Sequence, residues 1–287
     1  MMRRLLTTWL FLSALPLATA KLSAEDTPAP VIGPGVAGEH TGFLVHDVTS
    51  QRQRGPTKIR VLLPQRLADN RRYPTVYVLP VEAGDEHRYG DGLAEIKRCD
   101  LQNKVQAIFV APTFADLPWY ADHPTDPLLQ QEHYFVREVV PFIDETYPTL
   151  AKPEGRLLVG FSKSGWGAFS LLLRHPDQFG RAAAWDAPLM KAEPNQFGMG
   201  PIFGTQENFE KYQITRLLRR QAADLTGEPR LIHLGYGNFR SHHQDADALM
   251  KSLNISRIYH DGPHRKHAWE SGWLREAVEL LIPPGSR

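Results

Sequence analysis

The chain has 287 residues, 42% of them hydrophobic, and its 33 lysines and arginines nearly balance 32 aspartates and glutamates. That length supports one large core, and the balanced charge leaves no broad positive field for nucleic acid or an anionic membrane. The expected partner is a small neutral or weakly charged molecule, and the single cysteine, Cys99, excludes an intrachain disulfide.

Residues 1–20 carry Arg3 and Arg4, an apolar run over 5–17, and the small-residue triplet Ala18, Thr19, Ala20. This is the layout of a secretory signal peptide. Its apolar run is too short to span about 30 Å of hydrocarbon, so no stable membrane insertion is expected after cleavage. A secreted or periplasmic bacterial location follows as the expectation. Residues 21–38, rich in Pro, Ala and Gly, read as a flexible leader, and residues 39–287 as a single domain.

Beyond the leader, apolar β-branched runs alternate with amphipathic segments. Strands are expected over residues 58–63, 75–79, 107–111, 156–160, 182–185, 231–235 and 257–260, and helices over 133–147, 165–174, 244–253 and 269–281. This alternation predicts an α/β fold with a mostly parallel central sheet and helices on both faces.

The stretch "GFSKSGWGAF" (160–169) follows the fourth of these strands and leads into a helix. A nucleophilic serine is commonly mounted on such a strand–turn–helix, in the pattern G-x-S-x-G, with small neighbours that let strand and helix approach. Gly160 fits the position two before Ser162, whereas Ser164 stands where the second glycine belongs. Ser162 is the expected nucleophile. A nucleophile at Ser164 would put Trp166 two residues on, where bulk is least tolerable.

A serine hydroxyl needs a base, which in this chain order follows the last strand. "IYHDGPHRKHAW" offers His260 within the strand, then His264 and His267 beyond it. Either of the latter two suits the role, and no carboxylate or cysteine spacing completes a metal site around them, so neither metal nor cofactor is expected. The third member orients the base. Its usual place, near Asn238, holds an amide; Asp245 and Asp247 come later, on the next expected helix. Asp186, at the end of the apolar run "AAAWDAP", is the preferred acid, with Asp245 and the Asn238 region as alternatives. Backbone donors for a developing oxyanion are expected from Lys163 and from Val81 or Glu82 in "LPVEAG". Trp119 and Tyr120 in "TFADLPWYADHPTD", with Met190, Phe197, Met199 and Phe203 after Asp186, are expected to wall a substrate pocket, against the competing reading that they cover the core.

The runs "YPTVYVLPVEAG", "EHYFVREVVPFIDETYP", "GFSKSGWGAFSLLLRHPDQFG" and "HAWESGW" together resemble the esterase D and feruloyl-esterase-like group of secreted α/β-hydrolases, over about residues 55–283. The resemblance implies an α/β-hydrolase fold, Ser162 as nucleophile, and His267 as base, because that family's histidine is followed two residues on by tryptophan. It departs at Ser164, at "LPVE" where His-Gly is usual, and at the missing acid near Asn238; in other branches of the superfamily the acid follows the strand after the nucleophile, as Asp186 does. The function so implied is a secreted serine esterase that cleaves a small-molecule or carbohydrate ester through an acyl-enzyme. An acyltransferase of the same fold and a non-catalytic binding protein are the alternatives.

Overall fold

The computed structural model describes residues 28–38 and 42–282. The signal peptide expected over 1–20 lies outside these described residues.

Ten strands form one sheet: β1 (Val31–Ile32), β2 (Val36–Ala37), β3 (Leu44–Thr49), β4 (Thr57–Leu62), β5 (Thr75–Val78), β6 (Ile108–Pro112), β7 (Arg156–Phe161), β8 (Arg181–Trp185), β9 (Leu231–Leu234) and β10 (Arg257–His260). Their order is β1-β3-β4-β6-β5-β7-β8-β9-β10, with β2 also on β3. From β6 through β10 every pairing is parallel, and β1 to β4 add an antiparallel margin. Residues 28–38 therefore correct one expectation. Instead of a flexible leader, they carry two short strands whose backbone groups pair with β3, Val31 opposite Thr49 and Val36 opposite Val45.

The helices are α1 (Gly92–Arg98), α2 (Leu101–Lys104), α3 (Gln131–His133), α4 (Val140–Thr146), α5 (Ser162–Arg174), α6 (Met199–Phe203), α7 (Gln206–Glu210), α8 (Ile214–Gln221), α9 (Arg240–Ser252) and α10 (Trp273–Leu281). A π-helical segment, Tyr134–Val139, joins α3 to α4. Alternate strand residues face opposite sides, so the sheet divides the core in two. Tyr77, Leu79 and Leu158 pack under α4, α5, α8 and α9; Val76, Val78, Val159 and Phe161 pack under α1 and α10. Covered on both faces, the central parallel strands are apolar along nearly their whole length, as β7 (RLLVGF) shows. The carboxyl ends of β5, β7, β8, β9 and β10 open at one margin, where loops rather than core requirements set the side chains.

Candidate active site

At the end of β7 the chain turns into α5 through Ser162, whose φ of 52° lies in the left-handed region that a β-carbon disfavours. Two neighbours make the turn possible. A β-carbon on Gly160 would sit 2.5 Å from the main chain of Ser164, and one on Gly165 would sit 2.9 Å from the Ala187 side chain and 3.1 Å from the Gly160 carbonyl. Ser164 itself is fully buried: its hydroxyl donates to the Phe161 carbonyl (2.9 Å) and accepts from the Phe161 N–H (3.1 Å). The serine in place of the pattern's second glycine thus bridges the start of the helix, satisfying groups that helix ends leave unpaired. The Ser162 side chain is partly exposed, and its hydroxyl has no hydrogen-bond partner among the described residues.

The adjacent strand β8 ends at Asp186, again with positive φ (42°) and with no exposed surface. This residue touches both other candidates. Its carbonyl accepts the Ser162 N–H at 3.1 Å, and its Oδ2 accepts from His267 Nδ1 at 2.5 Å. Its other oxygen accepts the Phe239 N–H at 2.5 Å. Burial alone would push the carboxyl up, but the hydrogen bonds from His267 and from the N–H groups of Phe239 and Asn238 outweigh it and hold the group below its ordinary value. The loop after β9, where an acid was sought near Asn238, supplies donors to the acid on β8. Gly237 makes this possible, because a β-carbon there would fall 2.0 Å from Asp186 Cγ.

The loop after β10 delivers His267. It is fixed on both sides by main-chain bonds, Arg265 N–H to the Tyr236 carbonyl (2.6 Å) and Trp269 N–H to the Tyr89 carbonyl (2.9 Å). Trp269 then packs edge-on to Phe161, the residue before Ser162, with ring centroids 4.9 Å apart. The His267 ring lies between Phe161 (4.9 Å) and Tyr89 (5.3 Å). A carboxylate partner only accepts, so Nδ1 carries the proton and Nε2 is left with a free lone pair. His264 is exposed, with Nε2 3.2 Å from Asn238 Oδ1, and His260 is paired with Glu276 at 2.8 Å. Asp245 is exposed on α9, and Asp247 is bound to Arg257 at 2.7 Å. Ser162, Asp186 and His267 are brought together, and these other candidates are not.

Lys163 is the second residue of α5, so its main-chain N–H belongs to the first turn, at the positive end of the helix. Burial lowers the pKa of its side-chain ammonium despite the nearby carboxylate of Glu82. Val81 and Glu82 are buried in the loop after β5, and their N–H groups have no main-chain acceptor among the described residues. Tyr120 anchors this loop by donating its hydroxyl to the Pro80 carbonyl at 2.6 Å.

The expected pocket walls need correction. Trp119, Tyr120 and Phe203 are fully buried: Trp119 meets Trp166 (5.6 Å) and Phe203 (6.3 Å), and the Tyr120 ring occupies space that a side chain on Gly167 would take. They are core and loop anchors rather than a substrate surface. Met190 is partly exposed, its N–H donating to His242 Nδ1 at 3.1 Å, and Phe197 is exposed, whereas Met199 is buried with the other three. Exposed or partly exposed rings beside His267 are Phe239, 6.2 Å from the His267 ring, Tyr89, at 5.3 Å, and Phe197, 48% exposed and edge-on to Phe239. Phe197 belongs to the stretch after Asp186 that the sequence offered as a wall, whereas nothing in the local sequence marks Phe239 or Tyr89.

A family model described as "Putative esterase" matches residues 50–257. Esterase Rv1288 of Mycobacterium tuberculosis is similar, with 25% identity over 134 residues, which cover 45% of this chain and 29% of that protein. The matched part of the chain therefore spans less than a third of the curated relative's length. Among solved structures, a ferulic acid esterase superposes with a TM-score of 0.66 at 19% identity, over 84% of this chain and 95% of its own. FphF, a fluorophosphonate-binding serine hydrolase of Staphylococcus aureus, superposes with a TM-score of 0.68 at 19% identity, over 87% and 99%. At such identities the likeness is one of fold: a mostly parallel sheet clothed by helices, as in α/β-hydrolases.

Proposed function

The chain belongs to the esterase family whose model it matches, and from that premise we propose that it hydrolyses carboxylic esters with Ser162 as nucleophile, His267 as general base and Asp186 as the acid that orients the imidazole. One observation carries the reading. Asp186 holds the Ser162 turn by its main chain and His267 by its side chain, so a single residue ties the nucleophile's strand to a histidine 81 positions beyond Asp186.

In the forward step His267 Nε2 takes the Ser162 proton as Oγ adds to the ester carbonyl, a contribution of about 10² to 10⁴ in rate. The N–H of Lys163 and that of Val81 or Glu82 stabilise the oxyanion, each worth about 2.7–4 kcal/mol. The imidazolium then protonates the departing alcohol, leaving an acyl-Ser162 ester. Water, deprotonated by the same Nε2, attacks this ester and releases the acid and the free serine. Asp186 stays ionised throughout and stabilises the imidazolium. A small-molecule or carbohydrate ester as substrate, and export directed by residues 1–20, complete the proposal.

The test pairs fluorophosphonate labelling with a panel of p-nitrophenyl and feruloyl esters, on the wild type and on Ser162→Ala, His267→Ala, His264→Ala and Asp186→Asn. Labelling should be lost with Ser162→Ala and turnover with the first, second and fourth variants, whereas His264→Ala stays active. A wild type that neither labels nor turns over any ester would favour the non-catalytic reading instead.

A further inference from the structure

Two buried histidines lie behind the acid and take no part in the chemistry described above. His243, on α9, and His233, on β9, have no exposed surface, and their rings stack with centroids 5.5 Å apart. His243 Nε2 accepts the N–H of Ala187, the residue immediately after Asp186, at 2.8 Å. Its Nδ1 stands 3.4 Å from His233 Nδ1. Next to it on α9, His242 accepts the N–H of Met190. Two consecutive imidazoles thus hold the main chain that leaves β8, where a sheet or helix would normally offer carbonyls.

The need for such a hold follows from Asp186 itself. A non-glycine residue at φ 42° costs about 1–3 kcal/mol and persists only where its surroundings over-determine it. Ahead of Asp186 the hold is light, its own N–H reaching the Leu234 carbonyl at 3.4 Å. After it, the first main-chain donor goes to His243 at a shorter distance.

We infer that His243, backed by His233, is a positioning residue that fixes the turn of Asp186 and so keeps its carboxylate on His267. The inference rests on the reading of Asp186 as the orienting acid. It fixes the protonation of the pair: Nε2 of His243 is the acceptor for Ala187, so its proton is on Nδ1 and faces His233 Nδ1, leaving the His233 proton on Nε2, 3.9 Å from Asp247 Oδ1. Burial favours these neutral forms. It drives His243 well below the ordinary histidine value and, with the Arg257 charge, takes His233 down to about 3. His243 Nε2 therefore remains an acceptor for the Ala187 N–H over the range in which other histidines titrate.

Glutamine places its amide oxygen near the position of Nε2, whereas leucine fills the space and accepts nothing. His243→Leu should lower kcat roughly 10²-fold with KM little changed, the scale expected for a catalytic group displaced by about 1 Å. It should also shift or abolish the downfield proton resonance of the His267–Asp186 hydrogen bond, and His243→Gln should restore most of both. A folded His243→Leu protein with wild-type kcat and resonance overturns the inference, as does a glutamine variant no better than leucine. Should the leucine variant not fold, nitrogen-15 imidazole spectra of the wild type decide: a neutral His243 protonated on Nδ1 is expected, and protonation on Nε2 overturns it. Asp186→Asn separates the two levels. If it retains activity, the assignment of the acid fails; if it is inactive while His243→Leu is unimpaired, only the role of His243 fails.

Discussion

Gly237→Ala adds one carbon to the loop that encloses the acid. The new atom would lie 2.0 Å from Asp186 Cγ and 2.1 Å and 2.4 Å from its two oxygens, against about 3.4 Å or more for ordinary contact. Gly237 has no positive φ, so its backbone accepts alanine, and the three nearest atoms to the new carbon all belong to the Asp186 carboxyl group. The carboxylate is enclosed, held by His267 on one oxygen and Phe239 on the other, so a retreat of more than about 1 Å breaks at least one of these bonds. Overpacking should cost about 1–3 kcal/mol of stability. Misplacing the acid should lower kcat by at least roughly 10²-fold, and up to about 10⁴-fold if the imidazole is left in the wrong tautomer. Turnover of p-nitrophenyl acetate, measured well below the melting temperature with folding checked by circular dichroism, gives the answer. A folded Gly237→Ala protein with wild-type kcat/KM would refute the placement of Asp186 as the working acid.

Ser164→Gly, which restores the family's glycine, removes a hydroxyl that bridges both main-chain groups of Phe161; stability should fall by about 1–2 kcal/mol in urea titration while kcat stays close to wild type. Tyr120→Phe leaves the Pro80 carbonyl without its partner, so stability should drop by about 1–3 kcal/mol, and kcat should fall more than KM changes because the loop carries Val81 and Glu82. Burial raises Asp122 to about 6 despite the His133 N–H it accepts. An acid whose pKa is raised on folding favours the folded state at pH values below its unfolded pKa, and that advantage is lost as pH rises through about 6. Asp122→Asn should therefore stabilise the protein at pH 8, by of order 2 kcal/mol, and have little effect at pH 4, as thermal melts at the two values would show. Glu132 has the opposite sign: burial pushes it up, but hydrogen bonds from His175 and Arg174 bring it down to about 2, so its contribution is present above its ordinary value and is lost as pH falls towards 2. His175→Ala should accordingly destabilise at pH 7 and much less near pH 2.

The strands from β5 through β9 were legible because each is covered on both faces and must be apolar nearly throughout, which leaves runs such as "VYVL" and "RLLVG". β3 was not, because "LVHDVT" lies in the antiparallel margin with alternate residues exposed, and β1 and β2 are only two residues each. At the candidate site, Ser162 and Asp186 stand out in the sequence because each follows an apolar strand. Gly237, Phe239 and His243 could not, since their importance comes from meeting Asp186 or Ala187 across more than 50 positions of sequence. Trp119, Tyr120 and Phe203 were misread for a related reason: an aromatic ring in a proline-rich loop gives the same sequence signal whether it faces a ligand or the interior, and here all three face the interior.

Because the tip of β8 grips Ser162 through a peptide carbonyl and His267 through a carboxylate, a thermal excursion of that tip carries both in the same direction. Their separation is insulated from the strand's own vibration, much as two instruments bolted to one bench keep their spacing when the bench shakes. The spacing remains open to motions of a loop that does not share this mount, the connection from β5 to α1 that carries Val81, Glu82 and Tyr89.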